Sequence, residues 1–182
     1  MVRSNIVGVV PGSVVLVEGE SDRAALLTLA ERLGRDLTGV EVVAMGGITN
    51  LRRHLADLDA AEPLPVLLHD AGEKSWVERT LRSLRLDLPR YVCHADLEDE
   101  LVRSLGTSRA LDVVAAAGDL PAWHILCNQP FHRERPAAEV LRRFWGTTSG
   151  RKEKYAALLA AALDPDRVPA PLSGVLDAVR PG

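Results

Sequence analysis

Cysteine is scarce. Cys93 and Cys127 are the only two among 182 residues. Two cysteines build no disulfide framework, and neither has a neighbour at metal-ligand spacing. Reduced thiols and a cytoplasmic location are therefore expected. Aromatic residues make up 4% of the chain, so a core must be built mainly from Leu, Val and Ala. Positive charge is not in excess. The formal net charge is -3, which excludes a global attraction to nucleic acid and leaves only a local patch to supply one. No apolar run is long enough to span a membrane, so no membrane partner is expected. The apolar N-terminal stretch is broken by Gly8, Pro11 and Gly12 and ends at Glu18. It lacks the charged-apolar-small order of a secretory leader. Internal repeats, low-complexity tracts and Ser/His/Asp or Cys/His arrangements are also missing.

What is present is 47% hydrophobic and 26% charged, enough for a real core in one domain or one domain with an appendage. The chain is organised around Val14-Val15-Leu16-Val17-Glu18-Gly19-Glu20-Ser21-Asp22. Four consecutive apolar residues suit a strand covered on both faces. Gly19 allows a tight exit, and Ser21 is placed to cap a helix beginning near Asp22. Three carboxylates thus crowd the end of one strand, the edge at which open parallel sheets bind ligands. Carboxylates in the first turn of a helix are also favourable in their own right, because they face its positive end.

Further along, strand and helix signals alternate. After a lead-in with an edge-strand signal at Ile6–Val10, strands are expected at residues 13–18, 40–45, 66–70 and 91–95. Helices are expected over 21–35, from a Thr49 or Asn50 cap through Leu51, Leu55 and Leu58, and over 74–84. This pattern predicts an α/β fold: a four-stranded, mostly parallel sheet with helices on both faces. Right-handed crossovers put the strand ends on one side. Glu18, Asp70 and the run Asp96-Leu97-Glu98-Asp99-Glu100 then meet there from separate strands. A hard divalent cation is the usual answer to such convergence, and oxygen ligands suit magnesium. After residue 100 the strand signals stop. Helical segments are expected at 101–105, 110–117, 137–144, 155–163 and 171–179, separated by prolines. The expected division is an α/β metal-binding core over 1–105 and a helical C-terminal extension over 106–182.

Residues 133–154 hold seven basic residues, among them Arg142, Arg143, Arg151, Lys152 and Lys154, against Glu134, Glu139 and Glu153, a local charge of +4. Such a surface beside an acidic pocket suits a phosphate backbone. Arg142 and Arg143 equally fit the wet face of a helix whose apolar side is Val140, Leu141 and Phe144. His69 and His94 read as hydrogen-bonded structural residues rather than ligands, and the three tryptophans as core.

These features resemble the TOPRIM domain, shared by topoisomerases, primases and several nucleases, over about residues 13–105. The carriers are the strand ending in Glu18, the glycine pair Gly46-Gly47 and the strand ending in Asp70. Within TOPRIM the chain is similar to the nuclease half of the OLD family (overcoming lysogenization defect). Glu18, Gly19 and Asp22 match its Glu-Gly-x-x-Asp, Asp96-Leu97-Glu98 its late acidic motif, and Lys152 a lysine in a later helical segment. With these the likeness extends to about residue 163. It implies a TOPRIM-type sheet and a nuclease that uses two Mg2+ or Mn2+ ions on DNA. Glu18 and Asp22 would hold one ion, Asp70 would bridge, and Asp96 and Glu98 would hold the other. Residues two apart share no helix face, so Asp96 must precede the first turn. Asp96 with Glu100 is the alternative pair. Lys152 would stabilise transition-state charge, with Glu18 and Asp70 as the other catalytic residues. Arg142, Arg143, Arg151 and Lys154 would bind nucleic acid.

Two departures stand out. The family's Asp-x-Asp is here Asp70-Ala71-Gly72, with Glu73 one residue further as the substitute. OLD proteins also carry an ATPase domain, whereas this sequence has no Gly-x-x-x-x-Gly-Lys-Ser/Thr loop, so any ATPase would be a separate chain or absent. A homodimer that cuts both strands is a further expectation. The competing readings are an RNA-processing TOPRIM nuclease, primer synthesis, and a non-catalytic metal-binding adaptor acting with a partner.

Overall fold

The computed structural model describes residues 13–56 and 63–179. The edge-strand signal at Ile6–Val10 and the Leu58 position lie outside them. Four strands form one sheet: β1 (Ser13–Val17), β2 (Val40–Ala44), β3 (Val66–Asp70) and β4 (Arg90–Cys93), in the order β2-β1-β3-β4 and parallel throughout. The interleaved helices are α1 (Glu20–Arg32), α2 (Leu51–Ala56) and α3 (Lys74–Leu84). Beyond β4 come α4 (Leu97–Leu105), α5 (Thr107–Ala116), α6 (Leu120–Cys127), α7 (Ala137–Trp145), α8 (Arg151–Ala162) and α9 (Ala170–Ala178).

Side-chain alternation along the strands divides the core. Val15 and Val17 of β1, Val66 and Leu68 of β3 and Cys93 of β4 enter the larger cluster, with α1 and the C-terminal helices. Leu16 and Leu67 point the other way, onto α2, α3 and the turn before α2. Both faces are covered, which is why these strands read as continuous apolar runs.

The strand order also fixes where a ligand belongs. The chain leaves β1 for β2 on one side, then returns to β3 on the other. The sheet therefore has its switch point between β1 and β3, and open α/β sheets bind ligands in the crevice outside such strand ends.

Most elements fall where the periodicity puts them. The start of α1 differs: it begins at Glu20 with Gly19 as its N-cap. Ser21 lies buried in the first turn rather than capping it. Asp22 does the capping work by accepting the Gly19 N–H at 2.8 Å. Asn50 does not cap α2 but ties the preceding turn, donating to the Met45 and Gly46 carbonyls at 2.9 and 3.1 Å. Helix α6 was not expected. It is short and nearly all apolar, so periodicity gave no amphipathic signal.

The C-terminal helices do not stand apart from the α/β core. The most extensive helix-helix contact in the molecule is between α1 and α8. Tyr155, Ala156, Leu159 and Ala160 of α8 are buried in the same cluster as Ala25, Leu26 and Leu29 of α1. α9 packs on β3 and β4. As the small aromatic share requires, Leu, Val and Ala supply most of this core, while Trp123 and Trp145 are buried in it.

Candidate functional site

At the switch point lies a cleft of about 330 Å3, lined by Glu18, Asp22, Asp70, Glu98 and Lys152, with Gly46 and Gly47 on one wall. Glu18 leaves β1 directly. The Gly46-Gly47 turn wraps over it: Gly47 N–H donates to the Glu18 carbonyl at 2.9 Å. Both glycines have positive φ, 72° and 114°, where a β-carbon would be strained. Asp70 ends β3, beside β1. Asp96 is the N-cap of α4, its side chain accepting the Asp99 N–H at 2.8 Å. It thus precedes the first turn, which leaves Glu98 free to turn into the cleft.

The carboxylates disturb one another. Burial pushes the Asp70 carboxyl up from an ordinary value of 3.8 to about 7, helped by the charges of Asp22, Glu18, Asp96 and Glu98. Glu18 is raised by burial and by its neighbours Asp22 and Glu73. Asp22 and Glu98 are also raised, mainly by burial, with Lys152 opposing. A helix N-terminus alone would lower such groups. The net upward direction means that burial and like-charge repulsion outweigh the favourable position.

Lys152 enters from the far side of the chain. It sits in the first turn of α8, at the positive end of the helix dipole, an unfavourable place for a cation. The acidic cleft compensates. Lys152 Nζ lies 3.4 Å from Glu98 Oε2. Burial would lower its pKa, but Glu98, Asp22 and Asp70 raise it on balance, so it is firmly protonated. The other Glu98 oxygen, Oε1, is buried with no hydrogen-bond partner among the described residues.

Other candidates are placed differently. Asp96 faces a second groove, of about 570 Å3, shared with Glu98, Arg135, Arg142, Arg143 and Lys152. There its carboxylate pairs with Arg142. Glu100 lies outside the acidic cleft. It accepts the His94 backbone N–H at 2.7 Å and pairs with Arg103, so it closes the β4–α4 loop. Glu73 is close enough to raise Glu18 but does not line the cleft. Arg151 stacks over Phe144, 4.3 Å from its centroid, and Lys154 pairs with Asp119 at 3.0 Å. These two border a separate depression. Of the four basic residues expected on nucleic acid, only Arg142 and Arg143 line the groove next to the acids. His69 is buried, with Nδ1 2.8 Å from the Asp70 carbonyl, and burial lowers its pKa.

Arg135 was not expected at the site. Its place in the basic run of residues 133–154 was the available signal, but only the packing of α7 shows that it shares the groove with Arg142.

The topology, the acid pair at the switch point and the glycine turn have counterparts in known proteins. Residues 12–71 match the family model of the overcoming lysogenization defect protein-like TOPRIM domain. Over these residues the chain is similar to an OLD-like TOPRIM domain. The match spans β1 to the end of β3 and includes Glu18, Asp22 and Asp70. Two solved structures are similar over most of the chain. The C-terminal region of the Burkholderia pseudomallei OLD protein superposes with a TM-score of 0.66 at 20% identity, covering 92% of this chain and 96% of that one. The C-terminal region of the Xanthomonas campestris pv. campestris OLD protein gives 0.67 at 21% identity, covering 92% and 91%. At these identities the likeness is one of fold, and it extends past the TOPRIM match into the C-terminal helices. No curated protein matches the chain. Among the described residues, no helix is long and apolar enough to cross a membrane.

The TOPRIM donor set suits a hard divalent cation: it is all oxygen, it is mutually repulsive, and it includes the orphaned Glu98 Oε1. As the side chains stand, however, no three His, Cys, Asp or Glu among the described residues are positioned to hold one ion. Two of the carboxylates are instead paired with Lys152 and Arg142.

Proposed function

We propose that this chain is a divalent-cation-dependent nuclease domain that cleaves or nicks DNA phosphodiester bonds. The observation that carries the reading is the convergence of Glu18, Asp22, Asp70 and Glu98 with Lys152 in one cleft at the sheet's switch point, beside a groove lined by Arg135, Arg142 and Arg143.

Glu18 and Asp22 would hold one Mg2+ or Mn2+, Asp70 would bridge, and Asp96 and Glu98 would hold a second. Such cations would supply charge stabilisation for the attacking and leaving oxygens of a phosphodiester. Asp96 and Glu98 are engaged by Arg142 and Lys152, and these contacts would have to give way for the two carboxylates to hold a cation. Arg142 and Lys152 would then be available to the substrate. Lys152 would offer its ammonium to the phosphoryl oxygens, where a fixed positive charge is worth most as negative charge develops. Arg142 and Arg143 hold the flanking backbone. The acids of α1 and α4 keep their orientation through their own helix starts, Asp22 on Gly19 N–H and Asp96 on Asp99 N–H.

One observation favours a second reading, a metal-binding adaptor without catalysis. At the position where the OLD resemblance expects a second aspartate stands Gly72, which has no side chain, and Glu73 stays outside the cleft lining. A plasmid-nicking assay with Mn2+, comparing wild type with Glu18→Gln, decides between them. Nicking by wild type that is lost in the variant supports the nuclease. Cation binding by wild type with no cleavage of plasmid, single-stranded DNA or RNA supports the adaptor.

A further inference from the structure

Beyond the basic groove, on the far side of Arg143, lies a second depression of about 570 Å3. It is lined by Leu126, Gln129, Phe131, His132, Arg143 and Thr147. Arg143 borders both hollows, so they form one path from the acidic cleft across α7 to the α6–α7 segment.

A lone exposed apolar residue needs no explanation. Here three features coincide. Phe131 is 67% exposed. Arg135 lies over one face of its ring, 4.0 Å from the centroid, and His132 meets it edge-on at 5.0 Å. His132 lines the outer hollow and Trp145 the inner groove, and each has one buried ring nitrogen, Nδ1 and Nε1, with no partner among the described residues. His132 is only 7% exposed. Both nitrogens are themselves closed off from solvent, so they mark polar walls beside the path rather than contacts for an occupant. The charge is suited to an anionic occupant. Arg133, Arg135, Arg142 and Arg143 outnumber Glu134 and Glu139, and the Arg143 side chain makes no ion pair or hydrogen bond with another described residue. An aromatic ring set in a basic groove is how proteins hold single-stranded nucleic acid.

We infer that this path is a subsite for an unpaired strand: one base stacks on the face of Phe131 that Arg135 leaves open, and Arg143 binds the adjoining phosphate. The strand then runs along Arg142 to the acidic cleft. The inference rests on the nuclease reading and narrows its substrate to single-stranded, frayed or flap-bearing DNA rather than intact duplex. A base paired inside a duplex cannot offer its face to the ring.

The test is binding of fluorescently labelled oligonucleotides by anisotropy, without divalent cation so that nothing is cut. Wild type, Phe131→Ala, Phe131→Trp and Arg143→Ala are compared on a single strand and on the blunt duplex of the same sequence. Phe131→Ala is expected to weaken single-strand binding by about 5- to 100-fold, the usual worth of one stacked base, with duplex binding within about twofold. Phe131→Trp should restore it. Arg143→Ala should flatten the salt dependence of single-strand binding by roughly one phosphate contact. The inference fails if wild type does not bind the single strand, if Phe131→Ala binds it as wild type does, or if both substrates lose equally. It also fails if sedimentation shows Phe131→Ala altering self-association with single-strand affinity intact, which would make the face a contact between copies of the chain. Nicking by wild type with a silent Phe131→Ala would leave the nuclease reading standing. Phe131-dependent strand binding without any cleavage would leave only this one.

Discussion

Lys152 Nζ sits 3.4 Å from Glu98 Oε2, while Glu98 Oε1, on the same carboxylate, is buried without a partner. One residue belongs to the first turn of α8 and the other to the first turn of α4. Their meeting joins the C-terminal helices to the acidic end of the sheet, and it gives Lys152 a role that can be separated from structure.

Lys152→Met should cut Mn2+-dependent nicking by roughly 100- to 1000-fold, the usual cost of losing one preorganised charge at a reacting group. It should leave cation affinity unchanged or tighter, since a positive charge is removed from a cation site. Lys152→Arg should recover part of the activity. Nicking assays paired with calorimetric titration of Mn2+ separate this outcome from a folding defect, which would lower both.

Asp70 is held at about 7 by burial and by neighbouring carboxylates, so its ionised form works against folding. The folded protein binds this proton more tightly than the unfolded chain, whose value is near 3.8. The penalty is absent below that value, grows as pH rises, and is complete above about 7. Asp70→Asn should therefore melt higher than wild type at pH 8, by roughly 2–4 °C. The gap should narrow toward pH 5, and the variant should not nick DNA. Saturating Mn2+ should raise the Tm of wild type and not that of Asp70→Asn. Thermal unfolding across pH, with and without Mn2+, reads all of this.

Glu98 and Glu100 lie on the same turn of α4 and should behave in opposite ways. Glu98→Gln is expected to weaken Mn2+ binding at least tenfold, an effect on the order of a lost metal contact. Glu100→Gln should leave Mn2+ affinity within about twofold, because its oxygens serve the His94 N–H and Arg103. Glu100→Ala should instead lower stability by about 0.5–1.5 kcal/mol, the net worth of the hydrogen bond it accepts from the His94 N–H. Titration calorimetry and urea denaturation on the three variants check the division.

Gly174 on α9 has no room for a side chain. A β-carbon there would fall 2.3 Å from Tyr91 Cε1 of β4, well inside contact distance. Gly174→Ala should destabilise the protein by about 1–3 kcal/mol through overpacking. In a Tyr91→Ala background the same change should cost much less. Urea denaturation of the four proteins in that cycle measures the coupling.

The sheet was legible because its signals are local. Runs such as Val14–Val17 and Val66–Leu68 are apolar on both faces, which only a covered strand permits. The amphipathic spacing of α3 and α7 is equally plain, and Glu18 and Asp70 declare themselves by ending strands. α6 escaped notice because a nearly all-apolar octamer has no polar face to mark its period. Ser21 was misread as a cap because Gly19, with no side chain to announce it, takes that position, and Asp22 supplies the return bond.

The sequence by itself determined the alternation of strands and helices, hence a parallel sheet with its acids gathered at one edge, because side-chain period and chirality are properties of the local chain. Tertiary structure decided which acids share the cleft and which serve elsewhere. Glu98 and Glu100 are chemically alike and two residues apart, and only the packing of α4 turns one inward and ties the other to the β4–α4 loop. It also decided that Lys152, 134 positions after Glu18 in the chain, stands across a cleft from it. That placement follows from α8 burying its apolar side against α1, a long-range contact that no window of the sequence contains.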